Sequence, residues 1–506
     1  MSLGKQQVFH LFIMLYYLQS SAQSSDTDDN FTKSTTMRRD MSGDTFIYAR
    51  SVEMLNQKLT SVDPLSVWLV KDHYPTLAAL QMDLEKMWPC IENLENPRFQ
   101  LVLLKALRGE SINVVVYGGS NCVQGMFPVI FQDWWNTVIT PISGSSLNVK
   151  TIGIGGTGSG YYQYCHGVYL RQNETIDLVI LETAVNDAVD TAFDSSNLNR
   201  NLPLEQLTRQ FLNRPNHPAV FYVNLFLVSE RGECLNLVDF GQRLISNTYG
   251  ITTFNLRCLV CQLRDGKFYA YEKTRKVQHG WHSNLLGHAQ IAFMIINTIS
   301  QSIVKMTQNA TEKGLSDLSL FNTVRPKISA LPFPMYIREN SSITSPQCWS
   351  NLRYDYKNAN TGNSLRLTLL KSIGFKYANT IRIGKISYSA KSVERTDSFG
   401  GFLGKKVNSE LTVAFTFTPH RSEASVTTGS VGIASRYGNV GGVVEVWLDD
   451  GYNKRVRVRL RGYYAQTAVA MVDVGVQPGR HTLTMRIVKK GSCVLTAVFA
   501  WPSDWS

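Results

Sequence analysis

The sequence lacks a long apolar run after its N-terminal segment. Beyond residue 22, the 506-residue chain contains no stretch of about 18 uncharged apolar residues, the length that a membrane-spanning helix needs. Charged residues are also sparse, at 18%, while apolar residues reach 43%. This balance excludes a fully disordered chain, a collagen-like fibre and a coiled coil. We therefore expect a soluble mature protein with two or three domains.

The cysteines lack the pattern of a zinc or redox site. Cys258 and Cys261 form a lone C-x-x-C, with no second pair at a spacing that suits zinc and no thioredoxin-like βαβ unit around them. The total of eight cysteines is even. In an oxidising compartment we expect some of them to form disulfides, and the sequence leaves the pairing open.

Acidic residues are few in the last third of the chain. Residues 341–506 hold 22 Lys and Arg but only 10 Asp and Glu, whereas the 29 basic and 29 acidic residues of 1–340 balance. The formal net charge of +12 therefore belongs to the C-terminal region. A charge confined to one module predicts an acidic partner for that module.

The N-terminus has the features of a secretory signal peptide. Lys5 precedes the apolar run Val8–Leu18, and small residues that suit cleavage after Ala22 follow. Sequons for N-glycosylation occur at Asn30, Asn173, Asn309 and Asn340. We predict a signal peptide over residues 1–22 and a secreted, extracellular glycoprotein with no membrane span in the mature chain.

Two textures follow one another along the chain. Short apolar β-branched runs alternate with helical patterns in the first part, which predicts a parallel sheet covered by helices on both faces. Alternating polar and apolar segments, punctuated by Gly, Asn and Pro, fill the last part and predict a β-sandwich. The predicted boundaries are 23–109 for a flexible N-terminus and helical extension, 110–306 for the α/β domain, 307–350 for a linker and 351–506 for the basic β-sandwich.

Four short polar motifs stand at the ends of predicted strands or before the last helix, where open parallel sheets hold their sites. They are Gly118-Gly119-Ser120-Asn121, Ile154-Gly155-Gly156-Thr157-Gly158, Glu182-Thr183-Ala184-Val185-Asn186-Asp187 and His279-Gly280-Trp281-His282. Ser, backbone N–H groups at Gly, Asn and His can supply a nucleophile, oxyanion donors and a general base. Each motif alone is more typical of a turn, a loop or a helix cap.

Together and in this order, the motifs resemble the Ser, Gly, Asn and His blocks of the SGNH/GDSL hydrolase superfamily, over roughly residues 110–306. The resemblance implies a flavodoxin-like α/β fold and a serine esterase that needs no metal and no cofactor. It implies Ser120 as nucleophile, His282 as base, and an oxyanion hole formed by the N–H groups of Ser120 and Gly156 and the side-chain amide of Asn186. Similar enzymes are esterases, lipases, carbohydrate O-deacetylases or acyltransferases.

The sequence departs from the family pattern at two positions. Ala184 replaces a Gly that family members often carry two residues before the Asn, which is a mild change. His279 occupies the place of the usual Asp that orients the catalytic His. His279, a backbone carbonyl, Asp265 or Glu272 could orient His282 instead, and the sequence does not choose among them. The departure could also mean that catalysis is weakened or lost.

Two rival interpretations involve neighbours of these residues. His279, His282 and His288 have no recognised ligand spacing and no acidic residue nearby, so we predict no metal site. Cys122 follows Ser120 by two residues and is a rival thiol nucleophile. The even cysteine count favours a disulfide or a buried thiol for it instead.

Alternate residues of one predicted strand are basic: Arg455, Arg457, Arg459 and Arg461. The preceding predicted strand carries acidic and aromatic residues on one face: Glu445, Trp447 and Asp449. One hypothesis is that the two sets pair across a solvated hairpin. The other is that the arginine row binds an anionic polymer, such as a uronate-bearing or sulfated glycan, since nucleic acid is not a partner for a secreted glycoprotein.

The leading hypothesis is a secreted serine esterase of SGNH type that hydrolyses O-acyl esters, with O-acetyl as one candidate, on a polysaccharide or glycan. The β-sandwich would then hold the substrate or a surface. The alternatives are a catalytically silent glycan-binding protein on the same scaffold, motivated by His279, and an O-acyltransferase with the same catalytic residues.

Overall fold

The structure is a computed structural model, and the residues that it describes all lie within Tyr48–Ser506. The structure describes residues 57, 59–60, 63–124, 126–170, 174–190, 201–228, 234–235, 242–261, 282–312, 326–336, 346–352, 367–378, 381–382, 396–397, 400–418, 428–438, 440–461 and 466–502. No helix in these ranges is both long enough and apolar enough to cross a membrane.

The first part of the chain alternates strands and helices. Its strands are β1 Ile91–Glu92, β2 Ile112–Gly118, β3 Leu147–Gly153, β4 Leu178–Glu182, β5 Ala219–Asn224, β6 Leu227–Val228, β7 Cys234–Leu235 and β8 Thr252–Asn255. Its helices are α1 Leu84–Met87, α2 Pro97–Leu107, α3 Ser120–Gln124, α4 Met126–Val138, α5 Thr140–Ser143, α6 Ser159–Cys165, α7 Ala184–Asp190, α8 Leu202–Leu212, α9 Gln242–Tyr249, α10 Leu256–Val260 and α11 Leu285–Glu312.

The large sheet of this domain has the order β3-β2-β4-β5-β8, with all neighbours parallel, and the short β1 pairs antiparallel with β8 at the edge. Counting only the parallel strands, this is the 2-1-3-4-5 order of a flavodoxin-like sheet. In such a sheet the strand order reverses between β2 and β4, and ligands bind outside the carboxyl ends of the strands there. The predicted α/β fold is confirmed.

Strand side chains alternate between two cores because neighbours in a strand point to opposite faces. Val114 and Val116 join the core under α2, α4 and α11, whereas Val115 and Tyr117 join the core under α6 and α8. Both faces of β2 are therefore covered, which explains its continuous apolar run.

The last part of the chain folds into two antiparallel sheets, as predicted. The first, here called the outer sheet, has the order β10-β15-β20-β17-β18, and the inner sheet has the order β11-β14-β21-β16-β19 with β9 beside β21. Their bounds are β9 Gln347–Ser350, β10 Thr368–Ile373, β11 Phe375–Ala378, β14 Gly401–Gly404, β15 Glu410–Phe417, β16 Gly429–Tyr437, β17 Val443–Leu448, β18 Val456–Arg459, β19 Gln466–Val476, β20 Gly479–Lys489 and β21 Cys493–Pro502. A separate pair is formed by β12 Ile381–Arg382 and β13 Thr396–Asp397.

Strand β21 of the inner sheet is buried on both faces. Val498 and Ala500 of β21 face the sandwich core, while Phe499 and Trp501 belong to the core that covers α6 and α8. Tyr164 of α6 stacks on Phe499, with ring centroids 4.0 Å apart. The sandwich and the α/β domain therefore share a continuous apolar core.

Three disulfides join distant segments: Cys90–Cys258, Cys165–Cys348 and Cys234–Cys261. Cys165–Cys348 connects the end of α6 with β9 and so ties the α/β domain to the sandwich covalently. The two cysteines of the C-x-x-C motif bond to different partners, which is not the arrangement of a redox dithiol. Disulfides of this number are typical of proteins that fold in an oxidising compartment.

Element boundaries differ from the sequence prediction at informative places. The apolar spacing of residues 76–107 predicts a helix broken at Pro97, but Pro97 begins α2, because Asn96 caps the helix by accepting hydrogen bonds from the N–H groups of Arg98 and Phe99. The predicted linker 307–350 contains the end of α11 and all of β9. Part of the same stretch is held on α8, where Glu205 accepts from the N–H groups at 335 and 336. The domain boundaries themselves stay predictions.

Candidate active site

Ser120 lies on a tight turn at the carboxyl end of β2. The strand ends at Gly118, and Ser120 is the first residue of α3. A Cβ atom added at Gly118 would collide with Cys122 Sγ, and one added at Gly119 would collide with the side-chain amide nitrogen of Asn186. Glycine at both positions therefore lets the backbone pass between these side chains, and it leaves the half-buried Ser120 at the switch point of the sheet.

The glycine block, residues 154–158, follows β3, which is the neighbour of β2 in the sheet. Gly156 has a φ of +61°, in the left-handed region that glycine adopts without strain. A Cβ at Gly158 would collide with the carboxylate of Asp187. That carboxylate accepts hydrogen bonds from the N–H and Oγ of Ser159 at 2.7 and 2.9 Å and thereby holds the start of α6. Burial raises the pKa of Asp187 to about 6.

Asn186 is in the first turn of α7, directly after β4. Because β4 pairs with β2, Asn186 comes to lie against the turn of Ser120, and its amide group occupies the space where Gly119 would carry a side chain. Asn186 is buried, at 7% exposure. The amide of Asn186 thus lies beside the backbone of the Ser120 turn, where the resemblance predicts an oxyanion donor.

His282 reaches the same edge from a different part of the chain. The N–H of the next residue, Ser283, donates a 2.8 Å hydrogen bond to Oδ1 of Asn121, the residue after Ser120. Asn284 then caps α11 by accepting from the N–H of Gly287. The His segment is thus fixed between the Ser120 turn on one side and the start of α11 on the other.

His288, in the first turn of α11, is a buried structural residue. Its ring stacks on that of Phe127 of α4, at an interplanar angle of 11°. Burial, with a smaller contribution from the charge of His282, lowers the pKa of His288 to about 3. His288 therefore stays neutral at physiological pH and adds no positive charge beside His282.

Behind the Ser120 turn lies a buried acid that the sequence did not single out. Glu182, the last residue of β4, is fully buried and accepts a hydrogen bond from the N–H of Gly119 at 3.2 Å. The thiol of Cys122 also donates to this carboxyl group. Burial raises the pKa of Glu182 to about 8, so the carboxyl group is largely protonated at pH 7. Cys122 forms no disulfide, and burial raises its own pKa well above the ordinary value.

Glu182→Gln is expected to make the protein less sensitive to alkaline pH. The unfolded chain releases the Glu182 proton near pH 4.5, whereas the folded protein keeps it until about pH 8, so the free energy of unfolding falls as pH rises between these values. Each pKa unit corresponds to about 1.4 kcal/mol, so the wild type should lose roughly 3–5 kcal/mol more than the variant between pH 5 and pH 9.

Urea unfolding at both pH values measures this difference. Glu410→Gln is a control, because Lys371 and Arg486 hold the pKa of Glu410 below its ordinary value and it stays ionised throughout this range. An equal loss in wild type and Glu182→Gln would mean that Glu182 is already ionised at pH 5.

The β-sandwich contributes two residues to this edge of the α/β domain. Arg436 of β16 and Thr467 of β19 hydrogen-bond to the backbone of the glycine block, at Gly155 and Gly156. Both side chains are buried. Neither residue carries a local sequence signal, because each is an ordinary strand position until the inner sheet is placed against α6.

The arginine row lies elsewhere, along the edge strand β18 of the outer sheet. Glu445 pairs with Arg455 at 3.2 Å and with Arg457 at 3.3 Å. Arg459 and Arg461 are exposed and form no ion pair with any residue that the structure describes.

The other two expected partners of the row are engaged differently. Trp447 packs under Arg486, with 5.2 Å between the guanidinium carbon and the ring centroid. Asp449 accepts from His481 at 2.8 Å and from the N–H of Thr482 at 2.7 Å. Cross-strand pairing therefore engages Arg455 and Arg457. Arg459 and Arg461 have no acidic partner among the described residues.

Among the predicted site residues, Ser120, Gly156, Asn186 and His282 occupy segments that meet at the carboxyl edge of β2, β3 and β4. His279 lies outside the described residues, as do Asp265 and Glu272, so the group that orients His282 is not identified. The catalytic roles of these residues stay predictions.

Comparison with known proteins finds similarity in structure but not in sequence. No protein-family model matches the chain, and neither does any curated protein. A two-domain esterase active on acetylated mannans aligns at 15% identity with a TM-score of 0.49, covering 81% of this chain and 95% of its own. A GDSL-like lipase from Parabacteroides merdae aligns at 12% identity with a TM-score of 0.31, covering 38% and 96%.

An acetyl xylan esterase aligns at 15% identity with a TM-score of 0.29, covering 37% of this chain and 98% of its own. At these values the likeness supports no conclusion about fold or function. The sheet order and the paired antiparallel sheets themselves define a flavodoxin-like α/β domain followed by a β-sandwich.

Proposed function

We propose that the protein is a serine esterase that hydrolyses O-acyl esters of a polysaccharide, with O-acetyl groups as the first candidate. The observation that carries the proposal is the 2.8 Å hydrogen bond from the N–H of Ser283 to Asn121. Asn121 follows the candidate nucleophile Ser120, and Ser283 follows the candidate base His282. The hydrogen bond therefore joins two segments that are separated in the sequence by more than half of the α/β domain.

The chemistry assigns one role to each residue. Ser120 Oγ forms a bond to the ester carbonyl carbon while its proton passes to His282. The N–H groups of Ser120 and Gly156 and the amide of Asn186 stabilise the oxyanion. The bond to the alcohol then breaks, and the alcohol leaves with the proton from His282. Water attacks the acyl-enzyme, giving its proton to His282 and then to Ser120 as the carboxylic acid departs.

The position of the β-sandwich beside the candidate site favours a polymeric substrate. Strand β19 lies at the edge of the inner sheet and hydrogen-bonds to the glycine block, so a long chain that enters the site would run beside it. Secretion is part of the proposal, supported by the three disulfides and by the N-terminal sequence pattern. Of the four sequons, Asn309 is described, and it is exposed on α11.

The test is labelling of the full chain with a fluorophosphonate probe, together with acetate release from acetylated mannan and acetylated xylan. We expect one covalent label per chain and acetate release from at least one polymer. Acyl transfer to an added glycan without free acetate would favour the O-acyltransferase. Neither label nor release, with retained binding of the polymer, would favour the catalytically silent glycan-binding protein.

For an anionic polymer at the sandwich, the structure favours Arg459 and Arg461 over the other two arginines. Replacing both by Gln should weaken retention of the full chain on heparin or polygalacturonate, with little change in melting temperature, because exposed, unpaired positions contribute little to stability. Retention should also fall steeply with salt, since exposed charges are screened beyond about 8 Å at physiological ionic strength.

The matched control is the double variant Arg455→Gln and Arg457→Gln, whose residues already pair with Glu445. Its retention should change less, and its melting temperature should fall, because the buried carboxylate of Glu445 loses both of these ion-pair partners. Equal retention of all three proteins would exclude the row as the binding site.

A further inference from the structure

Three consecutive residues of the glycine block, Gly155, Gly156 and Thr157, form hydrogen bonds with the β-sandwich. Arg436 Nη1 donates to the carbonyl oxygen of Gly155 at 2.8 Å, and the N–H of Thr467 donates to that of Gly156 at 2.8 Å. The hydroxyl groups of Thr157 and Thr467 hydrogen-bond at 2.8 Å. Arg436 Nη1 also donates to Oγ1 of Thr467 at 2.7 Å, which joins the two sandwich residues to each other.

The first of these bonds fixes the direction of an N–H group. The carbonyl of Gly155 and the N–H of Gly156 belong to one planar, trans peptide group, so they point in opposite directions. With the carbonyl held toward Arg436, the N–H of Gly156 points away from the guanidinium. The hydrogen bond from Arg436 to the carbonyl oxygen of Gly155 is charge-assisted. A donor to that oxygen also polarises the N–H of the same peptide group, which is the N–H of Gly156.

The burial of Arg436 supports a specific role for this contact. The side chain is only 2% exposed. A buried charge is costly unless it is hydrogen-bonded, and an apolar side chain of similar size serves packing alone at least as well. The guanidinium compensates part of this cost through its bonds to the glycine block and Thr467.

We propose that Arg436 and Thr467 are positioning residues of the esterase site, which hold the N–H of Gly156 in the direction that the oxyanion requires. The sandwich is then part of the catalytic apparatus in addition to any contact with substrate. This inference rests on the proposed function, because it assigns a purpose to the N–H that the proposal places in the oxyanion hole.

The test compares three variants of the full chain. Arg436→Met keeps an unbranched apolar stem and removes the guanidinium donors. Arg436→Lys restores a charged donor. Thr496→Val is the control, because Thr496 is also buried in the inner sheet but donates to Ala434 inside the sandwich. For each variant we would measure kcat and KM for p-nitrophenyl acetate, the melting temperature and hydrogen exchange at the amide of Thr467.

Arg436→Met is expected to lower kcat about 10- to 100-fold with KM nearly unchanged, since the oxyanion donor is misdirected rather than deleted. Arg436→Lys should recover part of that loss, and Thr496→Val should keep the wild-type kcat. Exchange at the Thr467 amide should be faster in Arg436→Met, because the glycine block that accepts its hydrogen bond is released.

An unchanged kcat in Arg436→Met, or an equal loss in Thr496→Val, would overturn the assignment. Hydrogen exchange separates this failure from failure of the proposed function. If the wild type neither hydrolyses esters nor takes the fluorophosphonate label, faster exchange in Arg436→Met still supports the anchoring of the glycine block, and unchanged exchange refutes it.

Discussion

Replacing Ser120 by alanine is expected to abolish hydrolysis of p-nitrophenyl acetate and acetylated polysaccharide, lowering kcat/KM by at least about 10³-fold. Loss of the hydroxyl removes the only atom that could form the acyl-enzyme in the proposed mechanism. His282→Ala should cost about as much, and the double variant should be no slower than either single one, because nucleophile and base act as a unit. Initial rates and fluorophosphonate labelling on purified variants check both expectations.

Cys122→Ser is the matched control for the rival nucleophile. Cys122 is a buried thiol whose pKa lies well above its ordinary value, and the thiolate is the reactive form. A serine at 122 can still donate to Glu182, so activity and labelling should persist. Activity that survives in Ser120→Ala but disappears in Cys122→Ser would transfer the nucleophilic role to the thiol.

The parts of the fold that follow from local pattern were predictable. Continuous apolar runs predict the buried strands of the α/β sheet, and alternation predicts those of the sandwich. The alternating segment Val443–Leu448, for example, predicts a strand, and β17 has the same bounds. The Ser, Gly and Asn blocks meet at one edge because parallel neighbours bring their carboxyl ends together, which the order of blocks in the chain already implies.

The features of the site that the sequence does not predict depend on contacts between distant segments. Glu182 looks like an ordinary residue in the Asn block, and only burial under the Ser120 turn raises its pKa to about 8. Asn121 stands beside Ser120 in the sequence, but its bond to Ser283 needs the tertiary fold. Arg436 and Thr467 gain meaning only from the packing of the inner sheet against α6.

The arginine row shows the same limit within one module. One of the two hypotheses was cross-strand pairing in the hairpin, and Glu445 does lie opposite Arg457. That hypothesis did not reveal that Arg486, from the adjacent strand β20, lies over Trp447, or that Asp449 pairs with His481. Strand order in a sandwich is set by pairing between remote segments, so the neighbours of a hairpin cannot be read from the hairpin itself.

Asn186→Ala is expected to lower kcat about 10²- to 10³-fold with little change in KM, because it deletes a donor that acts on the oxyanion rather than on bound substrate. A substitution at Gly119 tests the role of the same Asn186 amide in a second way. A Cβ at Gly119 would collide with the amide nitrogen of Asn186, so Gly119→Ala must displace that amide without removing it.

Gly119→Ala should therefore reproduce most of the Asn186→Ala defect, and the double variant should be little worse than Asn186→Ala, since both changes disable one donor. Gly167→Ala is the control, because a Cβ there meets no atom within 4 Å. Steady-state kinetics of the four variants and their melting temperatures distinguish displacement from unfolding. If Gly119→Ala folds and keeps full activity, the amide of Asn186 does not act from the position seen beside Gly119, and the oxyanion hole must be built from other donors.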